Sequence, residues 1–286
     1  MILFEKAKIY ADMIKLAHTL FALPFALSAV ALAYICGYRL SPAKFLWILL
    51  AFTAARSAAM GFNRAADADI DALNPRTMSR PTVSGKISVG QTKFFTAASA
   101  AVFIFAAFMI NPLCGALSIP ALCALFGYSY TKRFTFLAHY ALGFALALAP
   151  TGAWIAVTGS LDARIFLLGG CLFFAIAGFD LIYALQDMDF DAAHGLHSIP
   201  ARFGRRKTLA VVAASFAAAS AFLFATGAAF ALNGAFFAVA GIIAALFAAG
   251  LGLFLKLGLK KVDIVFFHLN ALISILILLA ITTNLF

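Results

Sequence analysis

The sequence predicts an all-α integral membrane protein of nine transmembrane helices. Three observations carry that expectation. Of 286 residues, 65% are hydrophobic and only 11% are charged, whereas average soluble domains are nearer half apolar and a quarter charged. The apolar residues fall in nine runs, each close to the ~20 residues that a helical span requires. Apolar and polar residues seldom alternate at period two, which argues against a membrane barrel and leaves helices as the structure that satisfies its backbone in lipid. Disorder and a soluble globular fold are excluded by the same composition, and the chain reads as one transmembrane domain, 1–286.

In order, the runs lie at about 14–38, 43–66, 90–110, 113–130, 136–158, 164–186, 208–230, 234–256 and 264–285. Pro24 in the first and Pro150 in the fifth are read as kinks. Arg56 sits inside the second, where a charge is expensive and tends to face a cavity. Spans two and six both run into acid-rich stretches, and span four ends in Tyr128-Ser129-Tyr130-Thr131-Lys132-Arg133. Polar segments of any length occur only at about 67–89 and 187–207. Cys36, Cys114, Cys123 and Cys171 form no CxxC pair and read as small core residues.

The net charge is +10. On a soluble protein this would suggest nucleic acid, but here the cations lie between apolar runs, so no nucleic-acid partner is expected. With the N-terminus cytoplasmic, 17 of the 21 basic residues fall on the cytoplasmic side. Arg39, Lys44 and Arg164 fall on the other. That asymmetry orients the chain in a bacterial cytoplasmic membrane, with the N-terminus and both polar segments inside.

Seven of the eleven acids occupy two windows at the cytoplasmic ends of spans two and six. In the first, Asn63, Asp67 and Asp71 share a helical stripe, with Arg56 almost in line. In the second, Asp180, Tyr183, Asp187 and Asp191 share a face, while Asp69 and Asp189 point away from these stripes and read as solvent-facing or capping acids. Stacked acids repel one another, so two such stacks call for a cation. Oxygen donors without His or Cys favour Mg²⁺ or Ca²⁺, and Mg²⁺ is commonly shared between one or two carboxylates and a substrate's phosphates. Arg76, Lys132, His197, Ser198 and Arg202 lie on the same side, where cations can hold phosphate oxygens.

At these residues the chain resembles the UbiA family of intramembrane prenyltransferases. Asn63, Asp67 and Asp71 match that family's N-x-x-x-D-x-x-x-D motif; Asp187 and Asp191 match its D-x-x-x-D motif, with Tyr183 one step earlier. The Tyr-Ser-Tyr-Thr-Lys-Arg segment resembles the family's loop between helices four and five. The string from Asn63-Arg64 through Asn74-Pro75-Arg76-Thr77 is similar to the quinone-pathway members, which prenylate 4-hydroxybenzoate or a dihydroxynaphthoate on the way to ubiquinone or menaquinone.

The resemblance implies a helical bundle around a central cavity and Mg²⁺-dependent transfer of a polyprenyl group from its diphosphate to an aromatic acid. It implies that Asp67, Asp71, Asp187 and Asp191 hold the metal. Asn63, Arg64, Arg76, Lys132, Tyr130 and Tyr183 would then bind substrate, the first four at the diphosphate, and Arg56 would meet the acceptor's carboxylate, the diphosphate or an acid. Asp180 or Asp191 is the candidate base. Lys15 and His18 read as further pocket residues or interfacial anchors, and His139 and His268 as structural. Two other readings compete: a cation-coupled transporter, whose site would lie nearer the bilayer midplane, and a UbiA-type enzyme with a haem or chlorophyll-type acceptor.

Overall fold

A computed structural model describes residues 2–15, 21–262 and 264–285; His18 lies outside the described residues. All regular structure among them is helical. The helices are α1 (Ile2–Met13), α2 (Leu23–Ile35), α3 (Pro42–Ala66), α4 (Ala68–Leu73), α5 (Val89–Ile110), α6 (Pro112–Gly127), α7 (Ala138–Thr158), α8 (Ile165–Ala184), α9 (Met188–Ala193), α10 (Ile199–Ala229), α11 (Gly234–Leu257) and α12 (Asn270–Thr282). A 3₁₀ segment, Tyr128–Arg133, continues α6, and a π-helical turn, Ile264–Leu269, leads into α12.

Seven described helices, rather than the expected nine, have the length and composition to cross a membrane: α3, α5, α6 with its 3₁₀ extension, α7, α8, α10 and α11. The protein is thus an integral, multi-pass membrane protein. The first and last apolar runs give shorter helices, since α2 and α12 have 13 residues each. At 1.5 Å per residue α2 is roughly 20 Å long, short of the ~30 Å hydrocarbon core, whereas the π-helical turn ahead of α12 extends the last helical stretch to 264–282. Pro24 stands in the first turn of α2, where a missing N–H is harmless, so it starts a helix instead of kinking one. Pro150 does lie inside α7. The seventh run begins earlier than expected: Ser198 caps α10 through the Ala201 amide at 3.3 Å, and Gly204, at φ 75°, breaks the helix before its long apolar part. Of the four cysteines only Cys171 is buried; Cys36 and Cys123 are exposed.

The described chain divides into two compact units. One takes in residues 1–19 and 41–130, the other 20–40 and 131–286. In the first, α3 packs along α5, α5 along α6, and α1 lies on α3. The caps are local: Ser41 accepts from the Lys44 amide at 3.2 Å, Ser88 and Gln91 form a reciprocal box at the start of α5, and Asn111 starts α6. In the second unit α8 lies between α7 and α10, while α2 packs on α7 and α12. That explains why α8 is apolar all round, with 67% of its most apolar stretch buried, against 22% for α5. Small residues permit the close contacts. A Cβ on Gly143 of α7 would collide with the carbonyl oxygen of Phe173 in α8, and one on Gly178 would lie 2.6 Å from the Phe216 ring of α10.

Candidate active site

Each unit carries one acidic motif, and the two have the same local build. The stripe expected to continue the long helix is interrupted in both. α3 ends at Ala66 and α8 at Ala184; Asp67 and Asp187 each stand just before a new six-residue helix, with φ/ψ of −99°/5° and −99°/4°. Four residues on, the second acid folds back on the first: the Asp71 amide donates to the Asp67 carbonyl at 2.8 Å, and the Asp191 amide to the Asp187 carbonyl at 2.7 Å. This turn buries the second acid, with Asp71 7% and Asp191 2% exposed. Asp69 and Asp189 are exposed, as their spacing predicts. Carboxylates in the first turn of a helix meet the positive end of its dipole.

In the first unit, Asn63 donates from Nδ2 to Asp67 Oδ2 at 2.8 Å and to Ser129 Oγ at 3.4 Å, and accepts from Arg64 NH1 at 3.1 Å. Arg80 NH1 reaches both oxygens of Asp71, at 2.6 and 2.5 Å. In the sequence Arg80 is simply one of the 17 cytoplasmic basic residues. No helical spacing could reveal the pair, because nine residues of turn-rich chain separate them. That chain is stitched down: Thr77 Oγ1 donates to the Asp71 carbonyl at 2.9 Å, and Asn74 Oδ1 accepts from the Arg76 amide at 2.9 Å. Arg76 itself is exposed, and so is Tyr130 at 42%, its ring edge-on to Phe62.

The span arginines meet backbone. Arg64 Nε donates to the Met13 carbonyl at 3.3 Å, and Arg56 NH2 donates to the Lys15 carbonyl at 3.1 Å. Carbonyls at a helix C-terminus lack intrahelical partners, so the two guanidiniums close off α1. Lys15 there has a left-handed φ of 50°. Arg56 keeps a buried Nε without a hydrogen-bond partner.

In the second unit, Lys132 Nζ stands 3.7 Å from Asp191 Oδ2, and the Lys132 carbonyl accepts from the His197 amide at 2.7 Å. Asp191 Oδ2 is itself buried without a hydrogen bond. Burial pushes the Asp191 carboxyl above the usual carboxylate range, and Asp187 adds to this; Lys132 and a hydrogen bond from Ser198 pull it back. Asp187 is 5% exposed, and the Tyr183 carbonyl accepts from Gln186. Asp180, one of the expected stripe, instead faces His139: Nδ1 lies 2.7 Å from Oδ2. Arg202 stacks over Phe136 at 4.6 Å.

The donor set suits a hard divalent cation, being all carboxylate and including one buried oxygen with no hydrogen bond. Among the described residues neither unit by itself gathers three His, Cys, Asp or Glu side chains around one point. Each motif supplies two carboxylates.

Comparison with known proteins bears on these motifs. A family model described as the UbiA prenyltransferase family matches residues 22–276. A 4-hydroxybenzoate octaprenyltransferase of Methylobacillus flagellatus is 36% identical over 160 residues, which is 55% of this chain and 53% of that protein. The chain thus spans about half the length of the curated relatives it matches. Among solved structures, an apo UbiA homolog from Aeropyrum pernix K1 is 32% identical with a TM-score of 0.85, covering 94% of this chain and 98% of that one. A UbiA homolog from Archaeoglobus fulgidus, solved with DMAPP and Mg²⁺, has the same fold at 20% identity, with a TM-score of 0.73 over 96% of this chain and 99% of that one.

Proposed function

The chain belongs to the UbiA prenyltransferase family, and on that premise we propose that it transfers a polyprenyl group from its diphosphate to an aromatic acid, 4-hydroxybenzoate or a dihydroxynaphthoate, in quinone biosynthesis. The observation that carries this reading is the repeated motif: two Asp-x-x-x-Asp turns of one backbone geometry, each burying its second acid beside a cation. Asp67, Asp71, Asp187 and Asp191 would hold Mg²⁺, which when bound neutralises charge on a departing diphosphate. Asn63 orients Asp67. Arg64, Arg76, Lys132, Tyr130 and Tyr183 bind the donor, and the spare Nε–H of Arg56 serves the acceptor's carboxylate. Asp180 is the base. Arg80 joins this set: were Asp71 to hold a metal, the Arg80 guanidinium beside it would be available to a phosphate oxygen.

The allylic chain stays in the bilayer between helices, so no long apolar tail is drawn into water. The N-terminus and both motif segments face the cytoplasm, as the basic residues indicate. The deciding experiment incubates purified protein in lipid with labelled prenyl diphosphate and each acceptor, with and without Mg²⁺. Metal-dependent label in the aromatic product is expected. Uptake of substrate into vesicles without covalent change would replace this reading with a transporter.

A further inference from the structure

We propose that His139 is a positioning residue that orients the Asp180 carboxylate for proton abstraction; this rests on the prenyl-transfer reading above. His139 is the second residue of α7 and is fully buried; Asp180 lies in the last turns of α8, its side chain 22% exposed. Their contact is 2.7 Å, from Nδ1 to Oδ2. To act as a base the carboxylate must accept, so the proposal places the shared hydrogen on Nδ1 and leaves Nε2 bare. The described structure offers Nε2 no hydrogen-bond partner. Among the described residues the buried ring makes its one hydrogen bond, through Nδ1, with this carboxylate. The more exposed member is the acid, so the imidazole holds it from behind. The carboxylate also lies by the first turn of α7, a favourable place for an anion.

In the reaction, the C1–O bond to the diphosphate breaks with its electron pair leaving on oxygen. A ring-carbon pair then forms the new C–C bond. Asp180 takes the phenolic proton as the ring attacks, which leaves a cyclohexadienone; loss of the ring-carbon proton to water restores the aromatic ring as a phenolate, and this takes back the proton that Asp180 holds. His139 keeps the Asp180 carboxyl aimed at the acceptor's oxygen throughout.

The test uses the isosteric logic of the ring. Asn at 139 places a donor where Nδ1 is; Gln places it where Nε2 is. His139→Asn is expected to keep kcat within about threefold. His139→Gln and His139→Leu should lose about 10–100-fold in kcat, the usual cost of removing an orienting partner, with the prenyl diphosphate KM unchanged. Equal turnover in the Asn and Gln variants, or wild-type turnover in the Leu variant, would overturn the proposal. Nitrogen-15 NMR of labelled histidine provides a readout without activity: the His139 signal should show Nδ1–H with bare Nε2, and Asp180→Asn should alter it. An Nε2–H tautomer would overturn the proposal. If wild-type protein prenylates no aromatic acid, the functional reading falls, and the NMR result alone judges the pair.

Discussion

Replacing Arg80 by Ala removes the partner that holds both oxygens of Asp71. The Asp71 side chain is 10% exposed and that of Arg80 22%. Stripping one member from a fully buried pair costs about 3–5 kcal/mol, whereas a surface pair is worth about 0–1. This pair is nearly buried at the acid and more open at the base, so Arg80→Ala should cost about 2 kcal/mol, roughly thirtyfold in the folded-to-unfolded ratio. Arg64 lies close enough to Asp71 to interact with its charge, which keeps the loss below the fully buried figure. Asp71→Asn removes the charge that Arg80 answers. Adding Arg80→Ala to it should therefore cost much less, leaving a coupling of about 1.5 kcal/mol. Unfolding in detergent of the wild type, both single variants and the double variant measures this. Metal should matter too: an ion that takes Asp71 without competition from Arg80 stabilises Arg80→Ala more than the wild type. A coupling under about 0.5 kcal/mol, with Mg²⁺ raising both melting temperatures equally, would refute the reasoning.

Asp67→Asn and Asp187→Asn should each abolish Mg²⁺-dependent transfer while the protein still folds; turnover by either purified variant at the wild-type rate contradicts the metal assignment. Arg56→Ala should raise the acceptor KM about tenfold, the price of one charge-assisted hydrogen bond, and leave the prenyl diphosphate KM alone; an unchanged acceptor KM removes that role. The Asp191 carboxyl is raised in the folded protein. Its contribution to metal-free stability is therefore present below the unfolded pKa and lost as pH rises through the folded one. Metal binding needs the ionised form, so Mg²⁺ should stabilise progressively more as pH rises through that same range, and Lys132→Met should move the range upward. Melting temperatures against pH, with and without Mg²⁺, check both signs.

Hydropathy and spacing along the chain were enough for the helical membrane class, for the position of most helices within a few residues, and for both acidic motifs. Those properties are local: an apolar run must bury itself in lipid wherever it sits, and residues four apart share a helix face before any tertiary contact forms. The same local rule explains why Asp69 and Asp189 are correctly placed outward. It fails where a backbone turns, at Asp67 and Asp187, because the break depends on satisfying amides and burying the second acid. It fails again for α2 and α12, whose ends do not follow hydropathy. Arg80 with Asp71, His139 with Asp180, and Arg56 and Arg64 on the carbonyls of Lys15 and Met13 are pairings between residues 9 to 51 positions apart. Such partners are chosen by which buried charge or carbonyl would otherwise go unanswered once the helices have packed, and periodicity along a chain holds no record of that.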